Sequence, residues 1–155
     1  MALLFAACAT TEESRTRKAE RRALLREQMA NALATRHFTI DVDRAYPEGP
    51  MGMITLTSPY DVTVAGDTLK SHLPFFGRAY QVPYGGGKGL RFEAPIVRYR
   101  EDHSRRNRQI IYLDVEDTED SYLYIITLME DGNATVNVLP RQRSHIEFTG
   151  HFKEE

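Results

Sequence analysis

The residues best suited to binding or chemistry lie between residues 68 and 95, a stretch rich in aromatic side chains and glycine. The stretch is too apolar for an ordinary loop and too interrupted by glycine and proline for a single strand. Two interpretations remain open. The aromatic side chains close one end of a sheet, where large rings are most often buried, or they line a groove for a ligand or a protein partner, since tyrosine and arginine favour interfaces. The candidate binding residues are Phe75, Phe76, Arg78, Tyr80, Tyr84 and Lys88.

The glycine run at residues 85–89 (GGGKG) invites comparison with a phosphate-binding loop. Such a loop needs a Ser or Thr after its lysine and a helix whose N-terminus faces the phosphate. Here Lys88 is followed by Gly89, Leu90 and a segment with the periodicity of a strand. The pattern therefore favours a glycine-rich hairpin or bulge over nucleotide binding.

The remaining reactive side chains form no recognised catalytic or metal-binding pattern. None of the five histidines has the i, i+4 spacing of a helical zinc site. His145 and His151 share one face of a predicted strand, but they are too far apart along it to bind one metal ion. There is no Gly-x-Ser-x-Gly nucleophile motif. The sequence therefore names no catalytic residue, no metal ligand and no cofactor.

The composition predicts one globular domain preceded by a separate N-terminal segment. The chain has 155 residues and is 41% hydrophobic, so it can bury a sizeable core. Its net charge is -2. Residues 9–36 carry +3 from seven basic and four acidic side chains, which leaves -5 on the rest. The basic segment at residues 100–108 has only Tyr99 and Tyr112 near it as stacking aromatics. We therefore expect no nucleic-acid partner.

The single cysteine, Cys8, follows a short apolar run and precedes polar sequence. Residues 5–8 (FAAC) resemble a bacterial lipobox, in which small residues admit the signal peptidase and the cysteine thiol carries the lipid. No basic residue precedes the apolar run, which is shorter than the usual ~7–15 residues; an upstream start would explain both departures. We expect lipidation at Cys8 and attachment to the cell envelope, on the outer membrane or the periplasmic side.

Three segments follow from the pattern: a signal remnant with lipobox at residues 1–8, a helical linker or brace at 9–36, and a β domain at 37–155. The helix is predicted from residue 12 to about residue 35, where good helix formers run without Gly or Pro. Leu25, Met29, Ala32 and Leu33 form one apolar face. We expect this second half to pack on the β domain; alternatively, the basic residues of the first half contact phosphate headgroups.

From His37 onward the hydrophobic period changes to two, which predicts about eight short strands. Separate strands are expected at residues 53–57 and 60–64, with a break at Ser58-Pro59. Residues 122–129 are apolar on both faces, which suggests a central strand covered on both sides, with the helix as one cover. The expected fold is mostly β: an antiparallel β-sandwich or open barrel of about eight strands with one N-terminal α-helix.

Three blocks of this body resemble domain of unknown function 4251. They are residues 60–67 (YDVTVAGD), 73–80 (LPFFGRAY) and 89–92 (GLRF), of which the second is the most specific. The resemblance covers nearly the whole chain. It implies a small envelope lipoprotein of Bacteroidetes-type bacteria, with a lipobox, a helical segment and a β domain. It implies no activity, because none is assigned to the family.

Together these features favour an uncharacterised, lipid-anchored envelope protein that acts as a non-catalytic binding or scaffolding module. Its expected contacts are the membrane, through the lipid, and an envelope protein or small ligand. The alternative is an envelope enzyme whose active site matches no recognised motif. A partner surface should expose apolar side chains of residues 75–84, whereas an enzyme should have a cleft with perturbed carboxylates or histidines.

Overall fold

The computed structural model describes residues 7–79 and 88–154, with the side chains of residues 7–10 outside the description. One helix precedes eight strands. They are α1 (Ala7–Thr35), β1 (His37–Pro47), β2 (Ile54–Ala65), β3 (Thr68–Leu73), β4 (Leu90–Asp102), β5 (Arg108–Glu116), β6 (Ser121–Met129), β7 (Asn133–Pro140) and β8 (Ile146–Phe152).

The eight strands form a closed barrel in which each strand pairs antiparallel with its neighbour in the chain. Closure comes from pairing of the first strand with the last, where Ile40 lies opposite Phe152 and Ala45 lies opposite Phe148. The predicted helix and eight antiparallel strands are confirmed. The sheet is neither a sandwich nor open, because β1 and β8 join its two edges.

Alternation within the strands places the core inside the barrel. In β1, Phe38, Ile40 and Val42 are buried, while the residues between them are exposed or half-buried. In β6 the inward residues are buried, whereas the outward Leu123 and Ile125 keep partial exposure. The two apolar faces of β6 therefore do not mean a sheet covered on both sides. The prediction that the helix covers one face of β6 is wrong, because α1 packs at one end of the barrel.

Two predicted strands are one. β2 runs through Ser58-Pro59, and its pairing with β1 jumps from Val42 opposite Tyr60 to Arg44 opposite Thr55. The bulge absorbs the proline, which cannot donate a ladder hydrogen bond. The break that Ser58-Pro59 makes in the hydrophobic alternation is therefore a bulge within one strand, and the chain does not reverse there.

The helix begins at Ala7, five residues before its predicted start, since Ala and Thr at residues 7–11 do not stop a helix. Its residues 11–24 are exposed, and the predicted apolar face begins at Leu25. Leu25, Met29 and Leu33 are buried against the barrel. A methyl group on Gly132, in the β6–β7 turn, would touch the Leu25 side chain. Within the described residues, no helix is apolar enough over sufficient length to cross a bilayer.

The two ends of the barrel differ. We call "helix end" the end that carries α1 and the β2–β3, β4–β5 and β6–β7 turns. We call "loop end" the opposite end, which carries the β1–β2, β3–β4, β5–β6 and β7–β8 connections.

Gly150 is required for closure of the barrel. It lies opposite Val42, next to the bulge in β1, and a methyl group there would overlap the carbonyl oxygen of Asp41. We expect Gly150→Ala to lower the free energy of unfolding by about 3 kcal/mol, the upper end of the usual cost of overpacking, because backbone atoms cannot move aside as a side chain can. Urea denaturation measures the loss.

The control is Gly52→Ala in the β1–β2 loop, where nothing lies within 4 Å of an added methyl group. Because Gly52 has a φ of 70°, alanine there should lower the free energy of unfolding by only about 1–2 kcal/mol. Equal losses in the two variants would contradict a steric role for Gly150.

Candidate functional site

The loop end is covered by the segment that follows β3. Phe75 and Phe76 are half-buried and pack against the core. The guanidinium carbon of Arg143, in the β7–β8 connection, lies 5.1 Å from the centre of the Phe75 ring. The segment thus lies across the barrel mouth, with the Phe75 ring over an arginine.

A short backbone ladder holds this segment to the β7–β8 connection. The Arg78 N–H donates to Ser144 Oγ (3.1 Å), and the Ser144 N–H donates to the Arg78 carbonyl (2.9 Å). Ala79 forms an isolated β-bridge with Arg143. A methyl group on Gly77 would collide with Ser144 Oγ and the Phe75 ring, so glycine allows this close approach.

Arg143 is the centre of a buried polar network beneath the aromatic rings. It is only 6% exposed. One guanidinium nitrogen donates to the Gly89 carbonyl (2.6 Å) and another to the Tyr122 hydroxyl (2.7 Å). Its Nε lies 3.9 Å from Asp120 Oδ2, an ion pair too long for a hydrogen bond. The arginine thereby links the β3–β4, β5–β6 and β7–β8 connections with β6.

Asp120 provides the balancing negative charge, and its side chain is 2% exposed. Its carboxylate accepts backbone N–H bonds from Ser121 (2.8 Å), Arg141 (3.2 Å) and Gln142 (3.1 Å). Buried charges are tolerated when paired and hydrogen-bonded in this way. The ion pair and the backbone donors together satisfy this carboxylate.

Two tyrosines extend the network into the barrel. Ser71 Oγ donates to the Leu90 carbonyl (2.6 Å), so the Tyr124 hydroxyl must be the donor in its 2.9 Å bond to Ser71. Burial raises the pKa of both Tyr122 and Tyr124. Both hydroxyls therefore remain protonated at neutral pH.

Hydrogen bonds hold the side chains of this buried network in place. Asp120 and Arg143 are buried and bonded to their neighbours, so a substrate could not reach them without displacing the covering segment. Outside the network, Arg78 and Lys88 are exposed to solvent. The arrangement can present a cationic, partly aromatic surface on a stiff support.

The sequence-predicted site residues are only partly described. Phe75, Phe76 and Arg78 lie together at the loop end, and Lys88 adjoins Gly89, whose carbonyl Arg143 binds. Tyr80 and Tyr84 lie outside the described residues. Whether these six residues bind a ligand stays a prediction. Gly89 leads directly into strand β4, so no helix follows the glycine run.

Sequence reasoning missed Arg143, Asp120, Ser71 and Tyr122. One signal was available: Tyr122 and Tyr124 lie two residues apart on the inward face, where polar atoms need buried partners. Arg143 carried no signal, because nothing local marks a loop arginine as buried.

Residues 20–152 match the family model described as Domain of unknown function (DUF4251). The chain belongs to this family. It is also similar in structure to a DUF4251 family protein from Bacteroides eggerthii DSM 20697, known from a crystal structure. The two chains are 18% identical, with a TM-score of 0.63 over 84% of this chain and 87% of the other. That likeness concerns the fold alone. No curated protein shows significant similarity to this chain.

The histidines of this DUF4251 domain are scattered, each with different partners. His72 lies 3.4 Å from Asp61, and His151 lies 3.5 Å from Asp43. His145 bonds to Asn137 over 2.9 Å. In the described part of the chain, no group of three or more His, Cys, Asp or Glu side chains could hold a metal ion.

We expect Arg143→Met to lower the free energy of unfolding of the DUF4251 domain by about 3–5 kcal/mol. The change leaves Asp120 buried without its cation and removes the donor from Tyr122 and Gly89. Urea denaturation followed by circular dichroism measures the loss.

The matched control is Arg141→Met, an exposed arginine of the same connection. Its side chain forms no ion pair with the described residues, so the change should stay within about 0.5 kcal/mol. Similar losses in both variants would show that Arg143 contributes no more than a surface charge.

Proposed function

We propose that this protein is a lipid-anchored component of the cell envelope that acts as a non-catalytic binding or scaffolding module. The observation that carries the proposal is the loop end, where Phe75, Phe76 and Arg78 form a surface held in place by the buried Arg143 network. A surface with a fixed shape loses little entropy on binding. The proposed ligand is an envelope protein or a small molecule.

The placement of Cys8 supports an anchor. Cys8 lies in the first turn of α1, and its side chain lies outside the described residues. The helix packs on the barrel only from Leu25 onward, while residues 11–24 are exposed. As helix, residues 8–24 extend about 25 Å. A lipid on Cys8 would thus be separated from the barrel by a stalk attached at the helix end, leaving the loop end free.

The chemistry of the loop end suggests the kind of partner. Phe75 and Phe76 keep part of their surface in solvent, and the exposed Arg78 and Lys88 add positive charge. Such a patch suits an apolar surface bordered by acidic groups, since complementary charge speeds and orients association. Tyr80 and Tyr84 lie outside the described residues and stay candidate binding residues on the sequence alone.

The anchor is tested by the intact mass of the protein purified from a membrane fraction, after expression with its genomic upstream sequence. We expect a chain that begins at Cys8 and carries two or three acyl groups. Cys8→Ser should move the protein to the soluble fraction. An unmodified chain that retains Met1 and is soluble without the substitution would refute the anchor.

The loop end is tested by placing the photo-cross-linker p-benzoylphenylalanine at position 78, with position 105 as the control. Both arginines are exposed, but Arg105 lies in the β4–β5 turn at the helix end. We expect a specific adduct from position 78 that is absent from position 105 and is weakened by Phe76→Ser. A partner surface at the loop end would be contradicted if position 78 gave no adduct. It would also be contradicted if both positions gave the same adduct.

A further inference from the structure

A cleft of about 420 Å³ lies at the helix end, between the second half of α1 and the strands β4, β5 and β6. It is half open to solvent. Its apolar lining comes from both sides: Met29, Ala30, Leu33, Ala34, Leu128 and Met129. The volume falls within the ~300–1,000 Å³ typical of small-ligand sites, which are mostly apolar with a few placed polar groups.

Most polar groups of this cleft lie at the β4–β5 hairpin. Glu101 is already engaged, because it accepts from the Tyr99 hydroxyl (2.7 Å) and pairs with His103 (2.8 Å). On the other rim, Glu130 pairs with Arg26 over 3.0 Å. Both carboxylates that line the cleft are thus bound by groups of the protein itself.

Two arginines that line the cleft, Arg106 and Arg108, have no acidic partner. Neither forms an ion pair within the described part of the chain. The Nε of Arg108 is buried without any hydrogen-bond partner. A ligand in the cleft cannot reach that buried atom. The two terminal nitrogens of the Arg108 guanidinium are not buried and form no hydrogen bond within the described part of the chain, so they are the donors that an acceptor in the cleft can reach.

We propose that this cleft binds a single-chain amphiphile with a carboxylate head, such as a fatty acid. The acyl chain would lie between Met29, Leu33 and Leu128. The carboxylate would lie at Arg108 and Arg106, because a guanidinium matches a carboxylate with two parallel hydrogen bonds. This site is separate from the loop end and does not depend on the function proposed above.

The surrounding charge favours this head group. The hydrogen bond from His103 to Gln109, followed by the contact with Glu101, raises the pKa of His103. Its positive form is therefore favoured near the two free arginines. A neutral head group would leave Arg108 without a charged acceptor, and a cationic one would be repelled.

The experiment titrates the purified full chain with cis-parinarate, a fluorescent fatty acid, and with its methyl ester. We expect saturable one-to-one binding of the acid, and weaker binding of the ester by about tenfold or more. Arg108→Gln should weaken binding of the acid to about the level of the ester, because it removes the guanidinium that pairs with the carboxylate. Ala30→Phe, which fills the cleft from the exposed helix surface, should weaken both probes.

The matched control is Arg105→Gln, which removes the same charge from the same β4–β5 hairpin, at a residue that does not line the cleft. Its affinity for the acid should stay within about twofold of the wild type. If Arg108→Gln fails to fold, the exposed Arg106→Gln replaces it. The proposal is overturned if the acid does not saturate the protein, if acid and ester bind equally, or if Arg105→Gln weakens binding as much as the cleft variants.

Discussion

Pairing of β1 with β8 is the constraint on which the rest of this structure depends. It joins the first strand of the sheet to the last and removes the two exposed edges that an open sheet would leave. The bulge in β1 and the bare backbone of Gly150 let the two strands meet closely. Once closed, the barrel has no edge to protect, but it has two ends to fill.

The two ends are filled by different physical means. At the helix end, Leu25, Met29 and Leu33 cover the apolar core, which needs only an amphipathic half-helix. At the loop end, the β3–β4, β5–β6 and β7–β8 connections meet, and their backbone groups need partners. Arg143 and Asp120 supply those partners from one buried ion pair. A buried pair contributes little net stability over apolar packing, but its geometry positions the covering segment.

Both proposed binding regions follow from this division. The loop end presents aromatic and cationic side chains on a support that cannot easily move, which suits recognition of a surface. The helix end leaves a cleft between the second half of α1 and the strands β4, β5 and β6. There the free arginines of the β4–β5 hairpin give the cleft its preference for an anion.

The sequence by itself determined the local features: the period of two that begins at His37, the apolar face from Leu25 to Leu33, and the family blocks at residues 60–67, 73–80 and 89–92. These depend on near neighbours in the chain, so the residues report them directly. Only the tertiary structure decided that the sheet closes, that Ser58-Pro59 forms a bulge, and that Arg143 is buried against Asp120. Those outcomes depend on accumulated strand twist and on contacts between distant residues, for which no local pattern exists.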